Sequence, residues 1–362
     1  MRILFGANPA TGHVLPLLPL ADAAAEAGHD VAFLTASSMT PHLGGRRLLA
    51  AGPPLPEVIT ENLRRVGSAR TLGPGAAELL AGTRVDLTWD EALAEAARHE
   101  PDLLVGEELD VVIPLLAAHL DVPWAEHAVC APMPPEFTEP FRARADGQHA
   151  SRALKPRDRL AVLDPFPDSL RRPADTAVPP DRIPIRPDGT AGQSTGHPVP
   201  PRPEGMPRAL VTMGTSVNDP ALVSAIAESV AKAGFDVLVT AAPDRVRTGP
   251  RVHAIGFTPL RTLLPEVDVV IGAAGTGTLL ATLAAGVPTV LYPVLADQPS
   301  NAARAEERGA ARTIADATWA GAAARRVFEK PSFGRAAREV AAEIAAMNSP
   351  AQALTALLAR HP

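Results

Sequence analysis

The sequence of 362 residues holds one cysteine, Cys130, so no disulfide can form within the chain. That scarcity fits a reducing compartment and a cytoplasmic location. Lysine is nearly missing too: it stands only at 155, 232 and 330, and arginine carries almost all the positive charge. Aromatic residues make up 4% of the chain, and the net charge is −6 at pH 7. No basic patch interleaved with aromatics occurs, so nucleic acid is not an expected partner. No apolar run reaches the length of a membrane span. The opening Met1-Arg2-Ile3-Leu4-Phe5 passes at once into Gly-Ala-Asn-Pro, which reads as a strand and loop and not as a signal peptide. Metal patterns are lacking as well, with no H-E-x-x-H, no paired cysteines and no D-x-D in a suitable loop, so no metal is expected.

What is present describes a globular α/β protein. Hydrophobic residues form 46% of the chain and charged residues 20%, ordinary values for a soluble fold. The length exceeds what one compact core holds, so two domains are expected. Prolines crowd the span 167–207, where they remove backbone donors and fix φ. The expected boundaries are a first domain over 1–185, a linker over 186–207, a second domain over 208–345, and a C-terminal helix over 346–362 packing back on the first. Both halves open as strand, loop, helix and strand, at 2–34 and again at 209–240, the pattern of a doubly wound parallel sheet. A helix is expected over 37–49. Residues 52–73 are poorly patterned, and 131–170, rich in proline and charge, receive no full assignment.

One stretch organises the second half: DVVIGAAGTGTLLATLAAGVPTVLYPVLADQPSNAA, residues 268–303. An apolar run reads as a buried parallel strand. A turn of small residues follows, then a helix stopped by Gly286 and Pro288. The first turn of such a helix presents free N–H groups and the positive end of its dipole, which together make an anion site. Gly275 and Gly277 let a phosphate approach the backbone, and Thr276 and Thr278 can add hydroxyl donors. One strand later Asp297 and Gln298 stand at a neighbouring carboxyl end, where open α/β sheets bind ligands.

These residues resemble the sugar-nucleotide signature of glycosyltransferase family 1, H-x-G-G-x-G-T, then G-V-P, then D-Q-x-x-N-A. Here the chain reads AAGTGT, GVP at 286–288 and DQPSNA at 297–302. The family's G-H-x-x-P-x-L-x-L-A opening is similar to Gly12-His13-Val14-Leu15-Pro16-Leu17-Leu18-Pro19-Leu20-Ala21, and its G-[WFY]-x-P segment to Gly256-Phe257-Thr258-Pro259. The resemblance implies the GT-B fold, two Rossmann-like doubly wound domains facing across a cleft. It implies a hexosyltransferase-type enzyme of bacterial macrolide, enediyne or aromatic-polyketide biosynthesis. Such an enzyme needs no cofactor or bound metal; its co-substrate is a dTDP- or UDP-sugar. The reaction implied is an inverting transfer to a hydroxyl or amine. The chain departs from the pattern where the family usually sets a histidine against the diphosphate, a place aligned here with Ala273.

Carried over residue by residue, the resemblance makes His13 the base, since imidazole titrates near neutrality. A carboxylate that holds its other nitrogen would stabilise the imidazolium. The family's P-D-L-V-V-x-[DE] matches Pro101-Asp102-Leu103-Leu104-Val105-Gly106-Glu107, which makes Glu107 the partner and Glu108 the second choice. Asp102 reads as a strand cap, and His127 either lines the acceptor pocket or is a buried structural histidine, the second reading being preferred. Asp297 and Gln298 would read sugar hydroxyls, Phe257 and Thr258 the nucleobase, and Thr215 and Ser216 the phosphates together with Ala273, Gly275, Thr276, Gly277 and Thr278. The acceptor half looks short, which implies an open site for a bulky or carrier-bound acceptor; the chain is expected as monomer or homodimer. The competing reading is a GT-B protein that binds a ligand or a partner enzyme without turnover, favoured by Ala273 and the short acceptor half.

Overall fold

The computed structural model describes all residues except 68–72, 173–174, 176–177, 188–196, 215–216 and 218. The chain divides into two compact units, one of residues 1–165, 176–185 and 348–362, the other of 166–175 and 186–347.

The first unit is built on a parallel sheet of seven strands in the order β3-β2-β1-β4-β5-β6-β7. These are β1 (Arg2–Gly6), β2 (Asp30–Thr35), β3 (Arg47–Ala50), β4 (Leu103–Glu107), β5 (Trp124–His127), β6 (Val162–Asp164) and β7 (Arg182–Pro184). Its helices are α1 (Thr11–Val14), α2 (Leu18–Glu26), α3 (Leu55–Val66), α4 (Pro74–Ala77), α5 (Arg84–His99), α6 (Val112–Leu120) and α7 (Pro135–Ser151). Strand order reverses between β1 and β4, and open α/β sheets bind ligands in the crevice outside the carboxyl ends at such a point. Two glycines shape that point. Gly6 and Gly106 face each other in register, and a Cβ on either would lie 2.2 Å or 2.8 Å from Ile113 side-chain atoms. Their lack of side chains lets α6 seat Ile113 against both strands.

Several expectations change here. Residues 37–49 are not one helix but a 3₁₀ turn, Ser37–His42, followed by edge strand β3. Gly44 and Gly45 between them hold φ of 57° and 85°, which ends any helix. Helix α3 lies in the span left unpatterned, and α7 crosses the span left unassigned, with Pro135 at its start and Pro140 inside it.

The second unit carries a parallel sheet of six strands in the order β10-β9-β8-β11-β12-β13. They are β8 (Arg208–Thr212), β9 (Asp236–Val239), β10 (Val252–Ala254), β11 (Val269–Gly272), β12 (Thr289–Leu291) and β13 (Ala311–Thr313). Around them lie α8 (Pro220–Lys232), α9 (Leu260–Leu263), α10 (Thr276–Ala284), α11 (Gln298–Glu307), α12 (Ala320–Glu329) and α13 (Pro331–Ala346). The order reverses between β8 and β11, directly below the small-residue turn. The segment Phe166–Asp175 clusters with this unit, although the proline-based boundary ran to 185. Buried Arg304 of α11 explains it, pairing with Asp175 at 2.5 and 2.6 Å and donating to the Leu170 carbonyl at 3.1 Å. The described residues of the expected linker, 186–187 and 197–207, cluster with this unit; the His197 N–H donates to the Ile255 carbonyl at 2.8 Å.

The last helix, α14 (Pro350–Leu358), belongs to the first unit. Ser349 and Gln352 close a capping box at its start. Ala353, Leu354 and Leu357 are buried, and α2 is the helix it packs against.

Candidate functional site

In the first unit the loop after β1 leads straight into helical backbone at Thr11, so His13 lies in the first turn and not ahead of it. Its Nδ1 is 2.9 Å from Oε1 of Glu107, the last residue of β4. The two strands at the reversal point thus deliver a histidine and a carboxylate to one place. The carboxylate is 1% exposed and held on both oxygens. Oε1 also accepts from Asn8 Nδ2 at 2.6 Å and Asn8 N at 3.3 Å, and Oε2 accepts from Leu109 N at 2.8 Å. Burial pushes Glu107 up, but the charge of His13 and these hydrogen bonds outweigh it and hold the group below its usual range. Glu107 is therefore an anion at neutral pH. As it can only accept, the hydrogen sits on Nδ1 of His13, and Nε2 is the basic nitrogen of the neutral ring.

Glu108 turns elsewhere. Its Oε1 accepts from the backbone N–H groups of Val129 and Cys130 at 2.7 and 2.6 Å, and burial pushes it up to about 8. The folded protein then retains a proton that the unfolded chain loses near the ordinary carboxylate pKa. Stability contributed by this group is lost as pH rises through that window. Glu108→Gln should accordingly gain stability relative to the wild type between about pH 5 and pH 8, read by urea unfolding at both ends. His127 is buried with Nδ1 2.8 Å from its neighbour's carbonyl, and burial lowers it to about 4. Asp102 accepts the Arg2 N–H at 2.7 Å. Sequence reading missed Asn8, Asp110 and Arg84. Arg84, buried, donates to the Ala7 carbonyl at 3.2 Å and lies 3.6 Å from Asp110. It follows a π-helical turn, Glu78–Thr83, a form found often at functional sites.

In the second unit α10 begins at Thr276 with Gly275 at its N-cap. Gly275 holds an ordinary φ of −61°, and a Cβ on Gly275 or Gly277 would meet nothing within 4 Å. Neither backbone strain nor packing requires these glycines; the space they leave fits an approaching phosphate. The N–H groups of Thr276, Gly277 and Thr278 are those that a first helical turn leaves without an intrahelical partner. The residue that does take the left-handed conformation is Ala274, at φ 64°. Ala273 is 3% exposed and packs in the core cluster with Val211, Ile271 and Val290. Its methyl is a core group. Counted back from Thr278, the signature's histidine falls on Gly272, where a Cβ would sit 3.1 Å from the Thr212 carbonyl oxygen. Neither position supplies an imidazole.

The hydroxyl of Thr276 is also committed, donating to Asp297 Oδ2 at 2.6 Å. Asp297 stands at the N-cap of α11 but makes no side-chain cap bond. Gln298, 4% exposed, accepts from Val294 N and Leu295 N at 2.9 and 3.0 Å. Asp297 Oδ1 and the Gln298 amide nitrogen lie outside these bonds. Phe257 is 38% exposed, and the buried Thr258 Oγ1 has no hydrogen-bond partner. Thr215 and Ser216 lie outside the described residues. Among the described residues no group of three His, Cys, Asp or Glu side chains is placed to hold a metal, and no helix is long and apolar enough to cross a membrane.

Comparison with known proteins shows which family the chain belongs to. The model of the C-terminal domain of erythromycin biosynthesis protein CIII-like proteins matches residues 224–359. Elloramycin glycosyltransferase ElmGT of Streptomyces olivaceus is 30% identical over 392 residues, covering 97% of this chain and 95% of that protein. The crystal structure of glycosyltransferase SsfS6 from Streptomyces sp. SF2575, complexed with thymidine diphosphate, superposes with a TM-score of 0.84 at 29% identity, covering 99% of each chain. The glycosyltransferase SnogD from Streptomyces nogalater gives 0.81 at 26% identity, again over 99% of each. Two parallel-sheet Rossmann-like units and similarity to such enzymes over nearly the whole chain place it in glycosyltransferase family 1, among the GT-B glycosyltransferases of bacterial natural-product biosynthesis.

Proposed function

We propose that this enzyme transfers a sugar from a nucleoside diphosphate to a hydroxyl or amine of a secondary metabolite, with inversion and without a bound cation. The observation that carries the reading is the 2.9 Å bond between His13 Nδ1 and buried Glu107 at the reversal point of the first sheet. The thymidine diphosphate in SsfS6 favours dTDP over UDP as the nucleotide.

The acceptor oxygen gives its proton to Nε2 of His13 as it attacks the sugar C1. The new C1–O bond forms while the bond from C1 to the phosphate oxygen breaks, its electron pair leaving with the nucleoside diphosphate. Attack opposite the leaving group inverts the anomeric centre. Glu107 keeps Nδ1 protonated, aims the ring and stabilises the imidazolium as it forms. The first-turn N–H groups of α10 and its dipole take up charge on the departing diphosphate. Asp297 and Gln298 fix the sugar, and Phe257 and Thr258 flank the base.

The test is a set of polyketide aglycones incubated with dTDP-sugars in excess EDTA, with product anomers assigned by NMR. The expected result is a glycoside of inverted configuration at undiminished rate. Retention of configuration, or turnover abolished by EDTA, would contradict the mechanism.

A further inference from the structure

Asn301 stands one turn into α11 and is fully buried. Its Nδ2 lies 3.0 Å from the Ala274 carbonyl oxygen, 3.0 Å from Thr276 Oγ1 and 2.7 Å from Asp297 Oδ2. The Thr276 hydroxyl donates to that same Asp297 oxygen at 2.6 Å. One amide thus ties the turn after β11 to the loop after β12. The carbonyl and the carboxylate can only accept, so the nitrogen of the amide, and not its oxygen, must face them.

Two details argue against a merely space-filling role. Asn301 Oδ1 is buried with no partner, an unfavourable state that an apolar side chain would avoid. Ala274, whose carbonyl Asn301 holds, sits at φ 64°, a left-handed conformation that alanine enters only at a cost. Such strain persists where the surroundings over-determine it, and it gathers at binding sites.

We infer that Asn301 is a positioning residue that locks the diphosphate turn and Asp297 into one unit. Donors to the leaving group and the acceptor for a sugar hydroxyl then keep a fixed spacing. With Asp297 Oδ2 held by two donors, Oδ1 is the oxygen left for the sugar. The inference rests on the donor-site reading above. It separates two ligands: bare dTDP needs only the turn, whereas a dTDP-sugar needs both sides of the lock.

The experiment compares Asn301→Ala, Asn301→Asp, Asp297→Ala and the Asn301→Ala/Asp297→Ala double variant. Calorimetry with dTDP and steady-state release of dTDP from a dTDP-sugar are the readouts. Affinity for dTDP should stay within about threefold of the wild type throughout, which also shows that each variant is folded. For the dTDP-sugar, kcat/KM should fall about 10- to 100-fold in Asn301→Ala. It should fall further in the isosteric Asn301→Asp, which sets a second carboxylate against Asp297. The double variant should be no slower than Asp297→Ala alone, because the pair acts as one device. Losses that multiply in the double variant, or an Asn301→Ala enzyme within about threefold of the wild type, would overturn the inference. Wild-type protein that fails to bind dTDP would instead bring down the donor-site reading, and this inference with it.

Discussion

His13→Ala is expected to lower kcat by about 10²- to 10⁴-fold, the usual contribution of a positioned general base, while leaving dTDP affinity unchanged. The two halves of that result belong together. His13 lies after β1 in the first unit, whereas the turn after β11, proposed to hold the diphosphate, belongs to the second. Removal of the imidazole should thus abolish proton removal from the acceptor without touching the nucleotide. Loss of dTDP binding in His13→Ala would point to misfolding or to a donor contact, and unchanged turnover would remove His13 from the chemistry.

Glu107→Gln should produce a loss of similar size, about 10²- to 10⁴-fold, with a distinct pH signature. The buried anion of Glu107 stabilises the imidazolium of His13. Without it the ring takes up a proton only at lower pH, so the acid limb of the kcat/KM profile should move down while the plateau falls. The amide of glutamine can also donate to Nδ1, which moves the ring hydrogen to Nε2 and blocks it as a base. Glu108→Gln is the control, since Glu108 bonds the backbone at 129 and 130 and not His13. Its rate should stay near the wild type. An unmoved acid limb in Glu107→Gln would show that the 2.9 Å bond does not tune the base.

The strands that place the site were legible because they carry buried apolar runs ending in glycine or a carboxylate. Glu107 over Glu108 was legible from the alternation of a strand, which sends neighbouring side chains to opposite faces. Helix α7 was not: only Phe137, Gln148 and His149 are buried along it, so no apolar stripe marks it, and its prolines argue against a helix. The helix expected over 37–49 fails because Gly44 and Gly45, both at positive φ, end the 3₁₀ turn before β3 begins. Ala273 packs in the core with Val211 and Ile271, a burial that its small-residue surroundings in sequence do not mark. Asn8 carries no spacing signal, and Asn301, although it is the asparagine of DQPSNA at 297–302, carries no sign there of what it bonds. Asn8 reaches Glu107, 99 residues away in sequence, and Asn301 reaches Ala274, 27 away; only the fold brings them together.

On the proposed reading, α10 forms a working, cation-free donor site although no histidine faces the diphosphate. Titration of dTDP into the wild-type protein in EDTA, followed by calorimetry, tests it most directly. The account predicts binding at one site per chain, unchanged by added Mg²⁺ and retained in His13→Ala. No heat at millimolar dTDP, or binding that appears only with Mg²⁺, would contradict it.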